Sequence, residues 1–220
     1  MPKVGVVLSG CGVYDGSEIH EAVSVLLALD QLGAEYQCMA PDMDQLHVIN
    51  HVTGQPLEGE RRNALVEAAR IARGKIVALK TVRVSDYDAF VFPGGFGAAK
   101  NLCSFAVDGA ECTVHAEVKR LIEVANDAGK PLCFCCISPV IAAKVLGHRG
   151  EPLLTIGKDA STAAAIEQMH ASHSEAGVTE AVVDHDNKVV STPAYMYDAS
   201  VSEVYAGIRQ AVDEMLRLIG

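Results

Sequence analysis

The chain alternates short apolar runs with longer amphipathic segments. Lys3–Leu8, Ala89–Phe92 and Pro131–Cys135 are rich in branched, aromatic or sulfur-bearing side chains. They lack the polar alternation of a half-exposed strand, so each predicts a strand covered on both faces. Glu35–Met39 predicts another strand, ended by Pro41-Asp42. Between strands the apolar period becomes helical. Ile19, Ala22, Val23, Leu26, Leu27 and Leu29 define a helix over Glu18–Leu32, stopped by Gly33. Helices are also predicted over Arg61–Arg73, closed by Gly74, over His115–Ala128, closed by Gly129, and over Pro139–Leu146. An apolar run at Leu153–Ile156 follows, then a helix near Ser161–Met169, strands near Glu180–Val183 and Lys188–Ser191, and a final helix near Ser200–Ile219.

Strand–helix alternation without a repeat or linker predicts one α/β domain over 1–220, a mostly parallel sheet with helices on both faces. Ligands in such folds sit beyond the carboxyl ends of the strands. That rule selects Ser9–Glu21, Pro93–Asn101 and Cys135–Pro139, each of which follows a predicted strand.

Composition narrows the function. The 220 residues carry 18 Lys+Arg against 28 Asp+Glu, a net charge of −10, which argues against nucleic acid as a partner. Apolar runs are far shorter than the roughly 20 residues of a spanning helix, so no membrane association is expected. The N-terminus enters a strand-like run at once, and no secretory or transit peptide is expected there. Seven Cys, three of them within Cys133–Cys136, fit free thiols in a reducing compartment, and the expectation is a cytoplasmic protein.

Leu132–Pro139 is the most informative stretch. A buried strand ends, Ser138 is placed as helix N-cap and Pro139 as first helical residue. Cys136 then occupies a strand-to-helix turn, the geometry of a nucleophile elbow. The helix dipole there favours thiolate and a lowered pKa. The competing reading is a buried core thiol, which is the preferred one for Cys133 and Cys135. Glu21, one turn into its helix, can point inward, acquire a raised pKa and carry a proton. Glu18 is read as plain helix stabilisation. Gly94 and Gly95 can present backbone N–H groups to an oxyanion. His20 and Asn101 are auxiliary candidates. No metal site is expected: the cysteines lack CxxC spacing, and His47 and His51 lack the Glu of HExxH. Gly10–Gly16 reads GxGxxxG, with Asp15 where a dinucleotide fingerprint has its third Gly, so no cofactor is expected.

Three stretches resemble one family: Leu8-Ser9-Gly10-Cys11-Gly12-Val13-Tyr14-Asp15-Gly16-Ser17-Glu18-Ile19-His20-Glu21, Phe92–Leu102 and Thr192-Pro193-Ala194-Tyr195-Met196. They resemble the enhancing-lycopene-biosynthesis (ElbB-like) family of the ThiJ/PfpI superfamily, related to class I glutamine amidotransferases. The resemblance implies a flavodoxin-like three-layer sandwich, Cys136 as elbow cysteine, Glu21 as its carboxylate, and Gly94 and Gly95 as oxyanion site. It further implies a homodimer and a small aldehyde as substrate. Similar bacterial proteins are described as glutathione-independent glyoxalases that form glycolate from glyoxal. The alternative is a redox or electrophile sensor or binding protein, tied to isoprenoid biosynthesis by family name. Ile137 stands where many superfamily enzymes have His, and a hydrolase would need His20, His47, His51 or His115 near the thiol.

Overall fold

The computed structural model describes all residues, 1–220. Eleven strands and seven α-helices follow in chain order. The strands are β1 (Lys3–Val7), β2 (Glu35–Ala40), β3 (Ile49–Asn50), β4 (Gln55–Pro56), β5 (Ile76–Ala78), β6 (Ala89–Phe92), β7 (Leu132–Cys135), β8 (Leu153–Leu154), β9 (Ser172–His173), β10 (Val182–Asp184) and β11 (Val189–Thr192). The helices are α1 (Ile19–Gln31), α2 (Ala64–Ile71), α3 (Phe105–Asp108), α4 (Ala116–Asp127), α5 (Pro139–Gly150), α6 (Ala160–Gln168) and α7 (Val201–Arg217).

Seven strands form the central sheet in the order β10-β11-β7-β6-β1-β2-β5. All neighbours are parallel except β10, which runs antiparallel to β11 at one edge. Strand alternation divides the core between the two faces. Phe90, Phe92, Leu132 and Phe134 enter one apolar cluster, together with residues of α4 and α5. Ala89, Val91, Cys133 and Cys135 enter the other, with residues of α1 and α7. Phe92 and Phe134, in register on β6 and β7, stack with centroids 4.7 Å apart. The architecture is the expected flavodoxin-like sandwich. No helix is long and apolar enough to cross a membrane.

Three differences from the sequence reading have local causes. Strand β5 was not expected, because Ile76–Ala78 is three residues long and carries no alternation. Helix α5 runs on through Gly147 to Gly150. Gly147 serves close packing there: a Cβ would lie 1.8 Å from the carbonyl oxygen of Met169, after α6. Helix α2 starts at Ala64, because Asn63 caps it by accepting from Val66 N–H (3.1 Å).

The strand ends that carry the site are fastened together. Ser138 occupies the N-cap position of α5, but its side chain does not cap the helix. Its buried Oγ accepts from Cys135 N–H (2.9 Å), and lies 2.8 Å from both Phe92 O and Cys135 O, to either of which it donates. Ser138→Ala leaves these buried backbone groups short of a partner, and is expected to destabilise by about 1–3 kcal/mol, read as a lower denaturant midpoint at unchanged m-value.

Candidate active site

Chain order reverses between β1 and β6, and the loops after these strands and after β7 and β11 meet at one end of the sheet. Cys136 lies immediately after β7 with φ of 59°, a left-handed conformation that non-glycine residues rarely adopt. Its N–H donates to Thr192 O on β11 (2.9 Å), which helps hold the turn in place. The residue is 8% exposed, yet it lines an open cavity of about 420 Å³. The thiol is therefore covered on most sides and reachable from one.

Glu21 is completely buried beneath it. Its Oε2 accepts from Gly94 N–H (2.8 Å) and its Oε1 from Tyr195 N–H (3.2 Å). The carboxyl is a close neighbour of Cys136 across the Gly94 backbone. Gly94 allows this approach: a Cβ there would lie 2.5 Å from Cys136 Cβ and 2.8 Å from Glu21 Oε2. Burial, reinforced by the negative charge of Glu18, lifts the Glu21 pKa to about 7.

The expected lowering of the thiol pKa is not found. Burial first, and the Glu21 carboxylate second, push the Cys136 thiol well above its ordinary range. The neighbouring N–H groups of Gly95 and Ile137 favour the thiolate and pull the other way, but are outweighed. A helix N-terminus is worth about 1 kcal/mol in typical settings, less than the desolvation of a buried thiolate.

The oxyanion assignment changes in one member. Gly94 N–H is taken by Glu21, so it is not free for a ligand. The backbone N–H groups at the sulfur belong to Gly95 and Ile137. Gly95 adopts φ of 92°, and a Cβ would lie 2.4 Å from Glu18 N.

Asn101 does not reach the cavity. Its Nδ2 donates to Ser9 O (3.0 Å) and Asp15 O (2.9 Å), and its Oδ1 accepts from Leu46 N–H (2.9 Å). It fastens the loop after β1, which leaves no polar atom for chemistry. His20 is exposed and lies one residue removed: its Nδ1 is 3.0 Å from Tyr195 Oη, and Tyr195 lines the cavity. No histidine lines the cavity. His51 faces Asp15 (3.8 Å), His115 caps α4, and His47 is exposed on its loop.

Sequence reasoning gave no role at the site to several lining residues, Glu18, Tyr195 and Asp159 among them. Glu18 caps α1 by accepting from Glu21 N–H (2.7 Å) and also faces the cavity. Tyr195 follows β11, so the carboxyl-end rule applied to that strand would have found it.

No family model matches the chain. Curated relatives do. A human protein named glutamine amidotransferase-like class 1 domain-containing protein 3, mitochondrial, is 51% identical over 99% of this chain and 84% of its own length. The rat ES1 protein homolog, mitochondrial, is 49% identical over the same shares. The chain belongs to this glutamine amidotransferase-like ES1 family. A crystal structure of an isoprenoid biosynthesis protein with amidotransferase-like domain, from Ehrlichia chaffeensis, superposes with a TM-score of 0.94 at 36% identity, over 100% of both chains. A DJ-1 superfamily protein from Salmonella typhimurium shares the fold alone, at 21% identity and a TM-score of 0.55. The relation to class I glutamine amidotransferases that the motifs implied is thus shown by the relatives, while the likeness to DJ-1 superfamily proteins is one of fold. The cytoplasmic expectation is overturned: the human and rat relatives are both named as mitochondrial proteins. Free thiols, which all seven cysteines are, do not distinguish the two compartments.

Proposed function

We propose that the protein is a cofactor-independent glyoxalase that converts glyoxal, or a similar 2-oxoaldehyde, to the hydroxy acid. The observation that carries this reading is the buried Glu21 carboxyl, with a pKa near 7, set beside Cys136 across the Gly94 backbone. A thiol held protonated needs a base at the moment of attack, and a carboxyl poised near neutrality can take a proton and return it.

The chemistry balances without an external oxidant. The sulfur bonds to one aldehyde carbon while Glu21 takes the thiol proton. The N–H groups of Gly95 and Ile137 receive the developing alkoxide. Glu21 protonates that oxygen, giving a hemithioacetal, and is again a carboxylate. It then removes the proton on the same carbon, and the electron pair moves toward the neighbouring carbonyl. Reprotonation of the neighbouring carbon by Glu21, with the hydroxyl proton of the first carbon passing to the neighbouring oxygen, leaves a hydroxyacyl thioester. Water cleaves the C–S bond and restores the thiol, so one carbon is oxidised and its neighbour reduced.

A lowered-pKa thiolate would have favoured the sensor reading. The upward shift supports catalysis by a base-assisted thiol instead. The absence of a lining imidazole counts against glutamine or peptide hydrolysis. The test is carbon-13 NMR of labelled glyoxal incubated with the protein in deuterated water, without glutathione. Glycolate carrying one deuterium on its methylene is expected, because the migrating hydrogen passes through an exchangeable acid. Absence of glycolate refutes the proposal, and glycolate without deuterium refutes the role of Glu21.

A further inference from the structure

The cavity at Cys136 exceeds what a two-carbon dialdehyde fills. At about 420 Å³ it falls among pockets that enclose drug-sized ligands. Val13, Phe96, Ala99, Phe105, Ile137 and Met196 give it a mostly apolar wall. Its only charged lining residues are acidic, Glu18 and Asp159, and no Lys, Arg or His joins them.

Both acids are held by local bonds. Thr162 N–H (2.7 Å) and Ser161 Oγ (2.8 Å) donate to Asp159 and keep its carboxyl below the usual range, so it is ionised at neutral pH. Glu18 uses Oε2 for its helix cap. The neighbouring cations do not line the cavity. Lys100 donates to Tyr14 O (2.9 Å) and stands 5.2 Å over the Phe96 ring. Lys158 stands 5.4 Å over the Tyr197 ring. A ligand carboxylate or phosphate would meet two acidic lining residues and no lining cation. An aryl group or an ammonium would meet the rings of Phe105 and Tyr195, Phe96 already carrying Lys100.

We propose that this cavity selects 2-oxoaldehydes with a bulky apolar substituent, uncharged or cationic, such as arylglyoxals, and rejects those that carry a carboxylate or phosphate. The reaction itself rests on the Cys136 reading above; the selectivity rests on the wall. The same steps apply: the C–S bond forms at the aldehyde carbon, its hydrogen moves as a proton to the neighbouring carbon, and water releases an arylhydroxyacetate.

Initial rates with phenylglyoxal and its 4-trimethylammonio and 4-carboxy analogues test this. Phenylglyoxal should exceed glyoxal in kcat/KM, and the ammonium analogue should exceed the carboxylate by about tenfold or more. Glyoxal matching phenylglyoxal, or the carboxylate matching the ammonium, overturns the proposal. Calorimetric titration of Cys136→Ala with the correspondingly substituted acetophenones, which lack the aldehyde, reads recognition without chemistry. The same charge order is expected there even if the wild type converts no aldehyde, an outcome that removes the catalytic reading alone. Glu18→Gln keeps an oxygen for the helix cap, and should lower the cation-to-anion ratio several-fold. A ratio unmoved by both Glu18→Gln and Asp159→Asn refutes the assignment of selectivity to these residues.

Discussion

Cys136→Ala is expected to lower kcat/KM for glyoxal by roughly 10³-fold or more, since every covalent step of the proposed reaction passes through this sulfur. The fold should survive. The residue is held by its backbone, through Cys136 N–H to Thr192 O and the Ser138 bonds on either side, and these bonds do not involve the thiol. Thermal melts should show a far smaller change than the kinetics. Cys136→Ser tests the chemistry more finely, because a hydroxyl keeps a protic group on the same carbon while its proton is much harder to remove. Its expected activity is also near background. Glyoxal conversion by either variant at the wild-type rate would place the reaction elsewhere.

Glu21→Gln is expected to cost roughly 10²- to 10⁴-fold in kcat, the usual range for a general acid–base group. It should also change the pH dependence. With the Glu21 pKa near 7, wild-type kcat/KM should fall as pH drops through neutrality, as the base becomes protonated. The variant should lack that limb. Stability gives an independent check. Glu21 binds its proton more tightly folded than unfolded, where its pKa is about 4.5, so its contribution is full below pH 4.5 and is lost as pH rises through 7. The loss amounts to roughly 3 kcal/mol. Urea unfolding between pH 4.5 and 8 should therefore slope downward more steeply for the wild type than for Glu21→Gln. The carboxyls of Asp159, Asp184 and Glu203 are shifted down and titrate below this window, and Cys136 above it. Parallel slopes would show that Glu21 is ionised at all these pH values.

The sheet and its long helices were legible in the sequence because burial on both faces writes uninterrupted apolar runs, as at Ala89–Phe92 and Leu132–Cys135, and amphipathic helices write a stripe, as at Glu18–Leu32. The elbow was legible because Ser138-Pro139 marks the start of α5 directly after β7. Electrostatics were not. A thiol's pKa depends on how many atoms surround it in three dimensions, and local sequence showed the helix start but not the enclosure. Backbone donors were equally hidden: nothing in Gly94-Gly95 says that the first N–H turns to Glu21 and the second to the sulfur. Asn101 misled because a polar side chain after a strand can serve a loop as readily as a substrate.

The Glu21 carboxylate is also a junction. One oxygen is fixed by the loop after β6 and the other by the turn after β11, while the residue itself belongs to α1, so stretches 174 residues apart converge on a single group. The proton carrier is thus assembled last in synthesis, once the C-terminal region has docked, and a ribosome-bound intermediate that lacks this region would hold the cysteine without its completed partner.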